Sequence, residues 1–228
     1  MLFRSPEATQ ILLPELDAFD YKARLLAALG PRLEKGFDAL AVGPGLGTSP
    51  SARVVVELAL TRFSGPQVVD ADALNILAAS AETWLAVAGP SRPSRVWTPH
   101  PGEFERLTGE KPHGDAERVS AAGRFAGRFG GIVVLKGHRT VVHDGHRYYI
   151  NETGNPGMAT GGAGDVLSGV IVSFLGQKIA PFGAACLGVH VHGSAGDFAA
   201  EAMGQGSVIA GDLVDHLPRA LRMHLGCA

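Results

Sequence analysis

The sequence predicts an α/β fold built on a mostly parallel central sheet. Three observations carry this expectation. Short apolar runs bounded by glycine recur along the 228 residues, each run leads into a segment of helical periodicity, and the turns between them are rich in Gly and Pro. Continuous apolar runs of this length suit strands covered on both faces. No internal repeat or low-complexity linker divides the chain, so residues 1–228 read as a single domain with a substantial core.

Composition narrows the class. Hydrophobic residues make up 46% and charged residues 18%, the balance of a soluble globular protein. A net charge of −2 leaves no electrostatic footprint for nucleic acid or for an anionic membrane surface. Cys186 and Cys227 make neither a disulfide framework nor a metal site, and Cys186 reads as a small core residue. The start, Met1 to Glu7, lacks the basic-then-apolar profile of a signal peptide, and no apolar run is long enough to span a bilayer. A cytoplasmic domain of enzyme size is expected.

Residues 1–35 read as an irregular lead and a helix from about Asp20 to Leu33. Asp38 to Val42 is a buried strand that runs into Gly43-Pro44-Gly45-Leu46-Gly47, with a helix from about Ser51 to Phe63. Open parallel sheets place ligands at such strand ends, although a tight turn without a ligand explains this loop equally well. The spacing is not the dinucleotide fingerprint G-x-G-x-x-G.

A strand at Gln67–Val69 ends in Asp70 and Asp72. Asp70 is a candidate for a metal-bound water or ligand hydroxyl, and Asp72 for the cap of the next helix. Another strand ends at Thr98, where Pro99 and Pro101 stiffen the turn around His100 before a helix near Gly102. Asp115 is the expected N-cap of an amphipathic helix reaching Gly130. Gly131–Lys136 is the next buried strand, whose Lys136 can snorkel to the surface. A hairpin turning at Asp144-Gly145 follows.

The organising stretch is Asn155-Pro156-Gly157-Met158-Ala159-Thr160-Gly161-Gly162-Ala163-Gly164-Asp165, followed by Val166, Leu167, Val170, Ile171, Phe174 and Leu175 at helical spacing to Gly176. The first amides of a helix have no internal partner and carry partial positive charge. Glycines let a ligand approach them closely, which makes a cradle for phosphate. Asp165 is misplaced for simple anion binding and makes better sense as the base that deprotonates an attacking hydroxyl. Beyond it, Pro181–Met203 is a helix whose His190 and His192 cannot share a face, and Asp212 opens a last helix to about His224.

Four motifs, the Gly43 loop, Thr98-Pro99-His100-Pro101-Gly102-Glu103, Leu135-Lys136-Gly137-His138-Arg139-Thr140 and Asn155 to Gly169, occur in that order. Together they resemble the ADP- or ATP-dependent NAD(P)H-hydrate dehydratases of the ribokinase-like superfamily. The resemblance implies a three-layer αβα fold. It implies phosphorylation of the C6 hydroxyl of hydrated NADH or NADPH by ADP or ATP with Mg²⁺, then loss of phosphate. It places Gly45, Gly47, His100 and Asp165 at the substrate, and Lys136, Gly137, His138, Arg139, Thr140 and Gly164 at the nucleotide. Gly161, Gly162, Ala163 and Gly164 would hold the transferring phosphoryl group, Asp165 would be the base, and Asp70 and Asn155 are further candidates. The metal ligands are not assigned by the resemblance.

His138-Arg139 is more polar than the family's usual pair at that point. Family members also begin with a further glycine-containing strand and Ala-rich helix, ahead of what matches here. Relatives are often tetramers, so a homo-oligomer is expected. Two other readings stay open: a thiazole- or pyrimidine-alcohol kinase of the same superfamily, and a nucleotide-binding module without turnover.

Overall fold

A computed structural model describes residues 21–34, 37–79 and 94–226; the expected lead, Asp20 and Cys227 lie outside them. The chain runs α1 (Tyr21–Glu34), β1 (Leu40–Val42), α2 (Pro50–Arg62), β2 (Gln67–Val69), α3 (Ala71–Ala78), β3 (Arg95–Trp97), α4 (Pro101–Thr108) and α5 (Gly114–Phe129). It continues through β4 (Ile132–Leu135), β5 (Val141–His143), β6 (Tyr148–Ile150), α6 (Ala163–Gly176), α7 (Pro181–Met203) and α8 (Ala210–Leu225). The six strands form one sheet in sequence order. β1 to β4 pair parallel, whereas β5 and β6 pair antiparallel.

Strand alternation sorts the core into two layers. Val42, Val69, Trp97, Val133, Leu135 and Val141 pack beneath α2 to α5. Their neighbours Val68, Val96, Ile132, Val134 and Val142 pack against α6, α7 and α8. Successive side chains of a strand point to opposite faces, so both faces must be apolar and the runs read as continuous. The result is the three-layer arrangement that the resemblance implies.

Several boundaries differ from expectation for local reasons. Asp115 does not cap α5: the helix starts at Gly114, and the Asp115 carboxylate accepts from Arg139 Nε at 2.7 Å instead. α3 is capped by Asp70 rather than Asp72. α8 begins at Ala210, two residues before Asp212, whose carboxylate reaches back to the Ile209 amide. The β5–β6 turn spans four residues, and Asp144 accepts from the amides of His146 and Arg147.

Candidate active site

The carboxyl ends of the parallel strands bring the charged groups together. Asp70 follows β2 and is 1% exposed. Its carboxylate accepts from the Ala71 amide at 2.8 Å, from Lys136 Nζ at 2.7 Å and from Ser168 Oγ at 2.7 Å. Lys136, at the end of β4, therefore turns inward rather than snorkelling outward. Glu103 lies 3.9 Å from the same ammonium and also accepts from the His100 amide.

His100 caps α4. Its Nδ1 accepts from the amides of Gly102 at 3.0 Å and Glu103 at 3.4 Å. Nδ1 must therefore be unprotonated, which leaves Nε2 carrying the hydrogen, 3.5 Å from Glu103 Oε1. The Gly43 loop reaches the same region. A Cβ on Gly43 would fall 1.8 Å from the Asp70 carbonyl oxygen, so only glycine allows this approach. Gly47 donates to Asp72 Oδ2 at 2.7 Å, which is the role Asp72 has here instead of capping. Gly45 and Gly47 both have positive φ and open space around them.

Gly162 caps α6 with φ 89°, and Asp165 stands in the first turn. Among the described residues the amides of Gly161, Gly162, Gly164 and Asp165 have no protein partner, whereas the Ala163 amide donates to Thr160 O. Ala163 therefore drops out of the expected donor set. Burial pushes the Asp165 carboxyl up, as do the carboxylates of Asp70 and Asp72, while the Lys136 ammonium opposes them. A Cβ on Gly164 would lie 3.3 Å from Lys136 Nζ, so the ammonium sits against the cradle.

Beside the cradle lies a cavity of about 360 Å³, lined by Lys136, Gly137, His138, Arg139, Thr140, Asn155, Ala163 and Gly164. All the residues expected at the nucleotide are thus brought to one wall. Asp70, His100, Gly45 and Gly47 are not among its lining. Asn155 spends its side chain on the fold: Oδ1 accepts from the Gly157 amide, and Nδ2 donates to Gly196 O and Asp197 Oδ1.

Sequence reasoning missed Glu103, Ser168, Asn151, Thr153 and His192. His192 lines the cavity, is 8% exposed, and its Nε2 lies 2.9 Å from Ala163 O. Burial pulls its pKa down to about 4, so the ring is neutral and Nε2–H is the donor. No group of three His, Cys, Asp or Glu side chains converges on a metal-sized point among the described residues.

A parallel sheet with amide cradle, acid and nucleotide-sized cavity at its carboxyl edge defines a ribokinase-like protein. The solved structure of a ribokinase-like superfamily protein from Enterococcus faecalis is similar at TM-score 0.72 and 27% identity, over 89% of this chain and 72% of that one. The ADP/ATP-dependent NAD(P)H-hydrate dehydratase from Bacillus subtilis, crystallised with ATP and Mg²⁺, is similar at TM-score 0.72 and 30% identity, over 86% and 71%. The bifunctional NAD(P)H-hydrate repair enzyme Nnr of Moorella thermoacetica is 44% identical over 227 residues, 97% of this chain and 41% of that protein. The chain spans about a third to two fifths of the length of the bifunctional relatives it matches. A family model described as NAD(P)H-hydrate dehydratase matches residues 7–219, and the chain belongs to that family.

Proposed function

We propose that this chain uses ADP or ATP to dehydrate hydrated NADH or NADPH. Asp165 takes the proton of the C6 hydroxyl, and the freed oxygen attacks the terminal phosphorus of the nucleotide. The bond from that phosphorus to the rest of the nucleotide breaks, and the C6 phosphate ester then expels phosphate while C5 loses a proton to solvent, which restores the C5=C6 double bond of the dihydronicotinamide. The open amides of Gly161, Gly162 and Gly164 face the charge on the transferring group, with Lys136 alongside. The nucleotide occupies the cavity walled by Lys136 to Thr140, and the substrate approaches from the side of His100, Gly45 and Gly47.

The residues fit a magnesium ion that arrives with the nucleotide. Such sites hold Mg²⁺ through phosphates and one or two carboxylates rather than an all-protein cage. Glu103 and Asp165 are the cleft carboxylates with oxygen lone pairs to spare, and the ion would neutralise phosphate charge there. The reading includes a cytoplasmic setting and self-association. Support for association comes from a groove of about 440 Å³ between α6 and α8, lined by Val170, Phe174, Val214, Leu217 and Leu225.

The observation that carries the reading is the Asp165 carboxylate, raised in pKa, beside four unpaired amides. Asp165→Asn tests it. Nucleotide binding by calorimetry should persist while turnover of hydrated NADH falls by about 10²–10⁴-fold, the usual worth of a general base. Undiminished turnover removes Asp165 from the mechanism. Turnover of thiazole or pyrimidine alcohols in place of hydrated NADH would favour the kinase reading.

A further inference from the structure

The cavity wall from Lys136 to Thr140 is held from behind by one guanidinium. Arg118, on α5, donates through NH1 to His138 O at 2.6 Å and Arg139 O at 3.1 Å. Through NH2 it donates to Leu135 O at 2.9 Å and Lys136 O at 3.3 Å. Thr140 Oγ1 donates to the remaining carbonyl, Gly137 O, at 2.9 Å. Every carbonyl from 135 to 139 is therefore bound. The amides of Gly137, His138 and Arg139 have no protein partner among the described residues.

Two positive-φ residues, Gly137 at 141° and Arg139 at 54°, shape this segment. A second tie from α5 secures it, since Asp115 pairs with Arg139. Arg118 itself is absent from the cavity lining. Its four bonds decide which way the main-chain dipoles of the wall point. Carbonyls drawn toward the guanidinium leave the amide hydrogens of residues 137–139 as the wall's unpaired main-chain groups, a surface that favours an anion.

We infer that Arg118 is a positioning residue for the nucleotide: it orients the 135–139 main chain so that the wall presents donors to the polyphosphate. This rests on the nucleotide reading of the cavity. Lysine cannot replace the residue, because a single ammonium lacks the planar fork that serves four carbonyls. The hydrogen bonds of Arg118 go to this segment, so its influence is expected to fall on the nucleotide.

The test uses Arg118→Lys and Arg118→Ala in the full chain. Calorimetry with ADP and with ATP should show Kd raised by about tenfold or more in both variants, as expected when several hydrogen bonds to charged donors are lost. KM for the nucleotide should rise in parallel, with kcat at saturating nucleotide and KM for hydrated NADH within about threefold of the parent. Added methylguanidinium should restore nucleotide affinity to Arg118→Ala and leave the parent unchanged. Hydrogen exchange at residues 135–140 should quicken in both variants.

Unchanged nucleotide Kd in folded variants overturns the inference. So does an equal rise in KM for both substrates without rescue, which marks a general loss of structure. A parent protein that binds neither ADP nor ATP overturns the nucleotide reading itself, a separate result from either of these.

Discussion

Lys136 Nζ lies 2.7 Å from Asp70 Oδ1, and the aspartate is almost fully buried. Two charges from strands β4 and β2 thus meet at the carboxyl edge of the sheet, where Ser168 of α6 holds the second carboxylate oxygen.

Breaking that pair should be costly. Asp70→Asn takes the 2.7 Å carboxylate partner from a largely buried ammonium, at a cost of about 3–5 kcal/mol in unfolding free energy. Denaturant titration checks this, and adding Lys136→Met should recover a substantial part. A loss below about 1 kcal/mol in Asp70→Asn would mean that the pair behaves like a surface ion pair.

With Asp165 as the proposed base, its raised carboxyl is expected to set the pH dependence of turnover. The base form is lost as pH falls through the folded pKa, so the acid limb of kcat/KM should sit above the ordinary carboxylate range. Asp70 pushes that pKa up and Lys136 pulls it down. Removing the Asp70 charge by Asp70→Asn should therefore move the limb to lower pH, read from rate profiles of whatever activity remains. A limb that moves upward contradicts the assignment.

His192 makes stability itself pH-dependent. Its folded pKa, about 4, lies below the unfolded value near 6.5, so the unfolded chain takes up the proton first as pH falls. Stability is fully present above pH 6.5 and is lost between about 6.5 and 4, by up to about 3 kcal/mol. His192→Gln keeps a donor for Ala163 O but does not titrate, so urea midpoints should lose this slope. A variant as pH-sensitive as the parent across that window would assign the effect to another group.

Local pattern made the strands, the order of elements and α6 legible, the last to the residue, because glycine punctuation and apolar spacing act over a few positions. What it could not reach were partnerships across the sheet. Lys136 reads as a snorkelling residue until Asp70, 66 residues away, is brought beside it. Asp72 and Asp115 read as caps because their real partners, Gly47 and Arg139, are remote in sequence. His192 and Glu103 belong to the same category: their roles come from burial and from neighbours that no spacing rule connects. The amides of the Gly-rich turn and Asp165 are contiguous, so local pattern places them together, and only the turn bond at Ala163 lies beyond it.

The acid on α6 and the charges that tune it come from different elements of the fold. Asp70 and Lys136 are delivered by the sheet, while Asp165 arrives only when the C-terminal helices dock and Ser168 closes onto Asp70. The bond between Ser168 and Asp70 therefore couples the seating of α6 to the charge pair at the sheet edge, so a substitution that loosens this helix reaches both.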